Sequence, residues 1–204
     1  MKKVLLLIFA IAFIANIGLA QNDWSNQRKN LQIGIKAGAN LSNVYDTKGD
    51  EFYADPKFGF VAGAFLGIPI GKLFGFQPEF LFSQKGFKGK IANIEFKRTT
   101  NHIDVPLLIQ FKPAAQLTLL AGPMFSYLLK QKDEFANSSL EQEFNTDNIR
   151  KNTFCFTGGI DININSIVVS ARAGWDIQTN NGDGTSYDPR YKNVWYQATF
   201  GIRF

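Results

Sequence analysis

A chain of 204 residues with a formal net charge of +5 holds two of its lysines within the first three positions, leaving +3 for the remainder. That surplus is small and scattered, which excludes a nucleic-acid surface, and the length suits one all-β domain with no room for a second. The single cysteine, Cys155, excludes an intramolecular disulfide and reads as a small, inert, inward-pointing filler.

Residues 1–20 read as a secretory signal peptide: Lys2 and Lys3, an apolar run from Val4 to Ile17, then Gly18, Leu19 and Ala20 before Gln21. The run is broken by Asn16 and falls short of the roughly 20 residues of a spanning helix, so cleavage after Ala20 is predicted. No cysteine follows that site, so no lipoprotein anchor is indicated. Residues 21–30 form a short polar lead on the periplasmic side, and residues 31–204 are left for a single barrel domain.

From there the chain alternates. Eight successive segments place an apolar side chain at every second position, as strands with one apolar face do. Their apolar faces run from Ile33 to Leu41, Phe58 to Ile68, Phe74 to Phe82, Ile103 to Phe111, Leu117 to Tyr127, Phe154 to Ile164, Ile167 to Ile177 and Val194 to Phe204. Connections are short at Pro69–Leu73, Pro113–Gln116 and Asn165–Ser166, and long at Ser42–Lys57, Gly86–Arg98, Gln131–Asn152 and Gln178–Asn193. Short and long connections therefore collect at opposite rims. This pattern predicts an eight-stranded antiparallel up-and-down transmembrane β-barrel of the outer-membrane type, with both termini periplasmic.

The polar parity decides which face points inward. It carries glycines such as Gly34, Gly63, Gly122, Gly159 and Gly201 beside Lys36, Glu79, Asp104, Asp161, Arg172, Asp176 and Arg203. Small residues mixed with opposite charges suit a crowded lumen, whereas glycines on the outer face of a soluble barrel only weaken the sheet. Aromatic residues support the same reading, because the apolar parity gathers Phe58, Phe82, Tyr127, Phe154, Trp175 and Tyr196 near one rim and Phe74, Phe76, Phe111 and Phe204 near the other. Pro78, Pro106 and Pro123 lie inside strands and remove ladder donors, so they are predicted to mark bulges or local bends.

Four passages, Ile33-Gly-Ile-Lys-Ala-Gly-Ala-Asn-Leu-Ser-Asn43, Pro78-Glu-Phe-Leu-Phe-Ser-Gln-Lys-Gly86, Ile103-Asp-Val-Pro-Leu-Leu-Ile109 and Ala121-Gly-Pro-Met-Phe-Ser126, resemble the PorT-like, "porin family" outer-membrane β-barrel domain of Bacteroidota. The resemblance covers nearly all of the chain after residue 20. It implies an eight-stranded outer-membrane barrel, in a family mostly of unassigned function with a member linked to protein secretion. It brings no catalytic residues with it.

Lumen charges are tolerable when paired, so Lys36, Glu79, Asp104, Asp161, Arg172, Asp176 and Arg203 are expected to form a structural network centred on Glu79 and Arg172. An eight-stranded interior is just wide enough for side chains to fill it, which argues against an open pore. Ser83, His102 and Asp104 share the lumen parity and have the composition of a hydrolase, but no nucleophile motif surrounds Ser83, and no catalytic site is assigned. The turn from Asn180 to Asp188 lacks the spaced carboxylates of a calcium loop, and neither metal nor cofactor is expected. Lys88, Lys90, Lys97 and Arg98, in a basic loop, are expected to contact lipopolysaccharide phosphates.

The sequence thus predicts a non-enzymatic integral outer-membrane protein of a Gram-negative envelope. Its extracellular loops would serve envelope integrity or contact with an external ligand or partner. Its other contacts would be outer-membrane lipids and the barrel assembly machinery. The rival readings are a small transport channel, an accessory of protein secretion and, behind them, a lipid-modifying enzyme.

Overall fold

The computed structural model describes residues 30–45, 53–91, 94–135, 138–142, 150–180 and 190–204. The expected signal peptide, nearly all of the polar lead and most of the turn from Asn180 to Asp188 lie outside these residues. Nine strands follow one another: β1 (Gln32–Tyr45), β2 (Tyr53–Ile70), β3 (Phe74–Ile91), β4 (Ile94–Phe111), β5 (Leu117–Phe135), β6 (Ser138–Gln142), β7 (Asn152–Ile164), β8 (Ile167–Asp176) and β9 (Lys192–Arg203). Neighbours pair antiparallel, β1 closes onto β9 and β5 onto β7, so eight strands form a ring from which β6 is left out. β6 pairs with the far end of β5, Gln131–Phe135, and lengthens that hairpin.

The burial pattern inverts that of a water-soluble protein. Phe58 is 75% exposed, Phe200 70% and Ile109 62%, whereas Lys36, Glu79, Asp104 and Arg172 are buried. A continuous belt of exposed large apolar side chains around a polar interior is stable only where lipid replaces water outside. The aromatic rims follow from register. Leu41 pairs with both Phe58 and Tyr196, and Ile103 with both Phe82 and Tyr127, near the long-connection rim; Phe74 pairs with Phe111 near the short-turn rim.

The short turns have identifiable causes. Gly71 takes φ +76 after β2, and Asn165 takes φ 54 between β7 and β8, a left-handed conformation that glycine and asparagine tolerate best.

At the other end the strands outrun the membrane. About ten residues suffice to cross a bilayer, yet β2, β3 and β4 have 18 residues each and β5 has 19. The expected long loop Gly86–Arg98 is instead a continuation of β3 and β4, with Lys88 opposite Lys97 and Ile91 opposite Ile94. Likewise Ser42–Tyr45, Tyr53–Lys57 and Gln131–Phe135 are strand rather than loop. The reason is that alternation persists past the rim with its polarity exchanged: Lys88, Lys90 and Lys97 are exposed while Phe87 and Phe96 are buried. A sheet surrounded by water turns its apolar face inward.

The prolines also differ from expectation. The β2–β3, β3–β4 and β4–β5 ladders omit the pairs that Pro78, Pro106 and Pro123 would make with Leu66, Glu79 and Leu107, then resume in the same register. Missing donors interrupt the bonding without adding a residue to either strand. True register shifts fall elsewhere, between Pro56 and Val61 in β2, and between Asn101 and His102 opposite Leu128–Lys130. At the second of these, Leu129 and Lys130 are both exposed, so the inward positions of β5 change from Ser126 and Leu128 to Gln131 and Asp133.

Candidate functional site in the barrel lumen

Inward side chains from both halves of the ring fill the lumen in successive layers. Nearest the short turns, Arg203 donates to the Asn163 side chain at 2.9 Å and to the Asn165 carbonyl at 2.7 Å, while Asn163 donates to Thr118 at 3.1 Å. Gln110 donates to Gln77 beside a cavity of about 20 Å³, room for roughly one water.

Above this layer lies a cluster of four charges. Lys36 on β1 meets Glu79 on β3 at 2.5 Å, Arg172 on β8 meets Asp161 on β7 at 2.7 Å, and Arg172 reaches Glu79 at 3.8 Å. Gln77 donates to the second Glu79 oxygen at 2.7 Å. Arg172 also donates to the Ile160 carbonyl at 2.9 Å, so its contact with Asp161 is ionic rather than a well-aligned hydrogen bond. Two positive and two negative groups, all buried, neutralise one another across the lumen.

A third layer joins Lys85 to Asp104 at 3.0 Å and seats the same ammonium 3.9 Å from the Trp195 ring centre. Ser126 donates to Asp104 at 2.5 Å and lies 3.0 Å from His102 Nδ1. Asp176 accepts from Cys155 Sγ at 3.1 Å and from the Asn193 backbone at 3.0 Å. The last layer lies beyond the rim, where Arg98 grips Asp133 through Nε at 2.8 Å and Nη2 at 2.7 Å. Phe87, Phe96 and Tyr191 each place a ring centre 5.9 Å from that guanidinium, and Val44 packs in the same apolar cluster.

The expected network is therefore divided. Lys36, Glu79, Asp161 and Arg172 come together; Asp104 belongs with Lys85, Asp176 with Cys155 and Asn193, and Arg203 with the short-turn layer. Of the serine, histidine and aspartate considered together, Ser83 instead accepts from Asn40 at 2.8 Å, and it is Ser126 that meets His102 and Asp104. In an acyl-transfer relay the imidazole stands between carboxylate and hydroxyl. Here the hydroxyl stands between the other two, and Lys85 holds the carboxylate, which makes a hydrogen-bonded bridge rather than a relay.

Lys88, Lys90 and Lys97 face outward on the extension, and Lys97 pairs with Glu134 at 3.0 Å. Arg98 corrects the fourth member of that group, because its buried ion pair with Asp133 turns it away from any lipid phosphate. Hydrogen bonds from Lys132 and Lys97 hold the exposed Glu134 carboxyl down to about 2. The Arg98–Asp133 pair escapes sequence reading because the bulge at Leu129–Lys130 shifts Asp133 onto the inward parity; Ser126 needs only the parity count already used for its neighbours.

The family described as "Outer membrane protein beta-barrel domain" matches residues 19–177. Among solved structures, the chain is similar to Ail, the attachment invasion locus protein of Yersinia pestis, crystallised with the heparin analogue sucrose octasulfate, at TM-score 0.50 and 15% identity over 86% of this chain and 99% of that one. Neisserial surface protein A is similar at TM-score 0.50 and 11% identity, over 84% of this chain and 97% of that one. Both likenesses are of fold. No curated protein sequence matches the chain.

Proposed function

The chain belongs to the outer membrane protein β-barrel domain family, and from that membership we propose that it is a non-enzymatic, non-conducting barrel that displays the β2–β6 extension outside the cell. The layered lumen carries this reading, above all the Lys36–Glu79–Arg172–Asp161 cluster. A solute or ion would have to displace paired, buried charges.

The proposed orientation puts the short turns and both termini in the periplasm of a Gram-negative cell, because outer-membrane barrels carry short turns there and longer segments outside. It goes with a cleaved signal peptide over residues 1–20, a periplasmic lead over 21–30 and insertion by the barrel assembly machinery. Within the family, the resemblance of the four sequence passages supports a place in the PorT-like group of Bacteroidota. The extension is the part offered to an external ligand or partner, and Lys88, Lys90 and Lys97 on its outer face would meet the polar portion of lipopolysaccharide.

Planar-bilayer recording on the refolded full chain tests this proposal. The expected result is no resolved conductance steps under conditions where a porin opens. Steady unitary conductance from the wild-type protein would overturn the reading in favour of a channel.

A further inference from the structure

A groove of about 660 Å³ runs along the outside of the wall where β4, β5 and β7 reach the long-connection rim. Its lower part is apolar, formed by Ile103, Val105, Phe125 and Phe154, with Phe125 and Phe154 fixed edge to face at a centroid distance of 5.2 Å. Its upper edge carries Arg150, the one charged side chain among its described lining residues. Arg150 Nε donates to the Thr179 carbonyl at 3.1 Å and its backbone NH to the Asn180 carbonyl at 2.9 Å, which hold the residue at the rim. Lys130 and Lys151 occupy exposed neighbouring positions, the latter tied to Leu128 through its backbone carbonyl at 2.8 Å.

Height separates this groove from the lysines of the extension. Lys88 lies six residues beyond the rim residue Phe82, roughly 20 Å along the strand and about 14 Å upward at the usual tilt. Arg150 is two residues from Asn152, the register partner of the rim residue Tyr127. Lipid phosphates lie just outside the hydrocarbon boundary, at the level of Arg150 rather than of Lys88.

We infer that this groove is a binding site for one phosphate-bearing, multiply acylated lipid of the outer leaflet, with a phosphate on Arg150 and an acyl chain against Val105, Phe125 and Phe154. The inference rests on the outward orientation of the extension proposed above. An arginine with a guanidinium edge free of other described partners suits phosphate through paired hydrogen bonds. No carboxylate stands among the described groove residues.

Binding is measured on the full chain in nanodiscs by native mass spectrometry, with bisphosphorylated lipid A, dephosphorylated lipid A and inorganic phosphate as probes. Lipid A is expected to be retained, Arg150→Gln to weaken it about tenfold, as loss of a charge-assisted contact does, and Arg150→Lys to recover part of that loss. Heat-modifiable gel mobility confirms that each variant is folded. Equal retention of the dephosphorylated lipid would overturn the inference, as would competition by inorganic phosphate alone or an Arg150→Gln variant that binds like wild type. If the combined Lys88→Gln, Lys90→Gln and Lys97→Gln variant lost the lipid while Arg150→Gln kept it, the groove would be refuted and the outward orientation would stand. Conductance by the wild-type protein would refute the non-conducting reading and leave the groove untouched.

Discussion

The Ser42 hydroxyl of β1 reaches across β2 to the backbone of Gly86 on β3, accepting from its NH at 2.9 Å and donating to its carbonyl at 2.8 Å. The β2 bulge between Pro56 and Val61 frees these groups, and Asn40 serves the neighbouring Gln84 carbonyl in the same manner at 3.3 Å. Buried inside the wall, these groups have no water to satisfy them. Ser42→Ala should therefore cost about 1–3 kcal/mol. Gly86→Ala should cost at least as much, because Gly86 has φ +142 and a Cβ there would stand 2.1 Å from the Arg98 carbonyl. Urea unfolding in detergent, followed by tryptophan fluorescence, measures both; unchanged midpoints would refute the account of the bulge.

Removing one partner of Arg98–Asp133 leaves a charge inside the aromatic cluster of the extension. Arg98→Gln or Asp133→Asn should each cost about 3 kcal/mol, and the double variant clearly less than their sum. A double-mutant cycle showing additivity would mean that the two side chains do not act as a pair.

In the membrane-embedded cluster, Glu79→Gln strands Lys36 and Arg172 together, at a cost of about 3–5 kcal/mol. Adding Lys36→Met to that variant should restore much of the loss, since one positive charge then remains against Asp161. If Lys36→Met deepened the defect, Glu79 would owe its importance to something other than charge balance.

Glu134 offers a pH signature on the extension. Its folded carboxyl is held down to about 2, below the ordinary carboxyl value, because Lys132 and Lys97 hydrogen-bond to it. A depressed value means that the attraction is fully present above the unfolded value and is lost as pH falls through about 2. The group is exposed, so the effect on stability is small and falls with salt. An NMR titration of the Glu134 carboxyl in nanodiscs should show the low midpoint in wild type and a return toward ordinary values in Lys97→Gln.

Much of the barrel is legible in the chain because lipid imposes a simple demand: Ile33, Phe58, Ile109 and Phe200 must face outward, and period two does the rest. The Lys36, Glu79, Asp161 and Arg172 cluster is legible by the same parity, although only the register shows that Asp104 belongs to Lys85. Past the rim the demand reverses, and Phe87 and Phe96 turn inward between exposed lysines. Reading only for outward apolar faces makes that stretch resemble a loop. The bulge at Leu129–Lys130 leaves no mark in composition, so the inward turn of Asp133 emerges only from strand pairing.

The four central charges are also apportioned along the chain. Lys36 and Glu79 arrive with the first three strands, Asp161 and Arg172 with two consecutive later ones, and the cross-lumen link between the pairs is the looser 3.8 Å contact. Each half of the polypeptide thus brings its own neutral pair before the ring closes. Once each half has assembled, final closure brings together two surfaces whose central charges are already balanced.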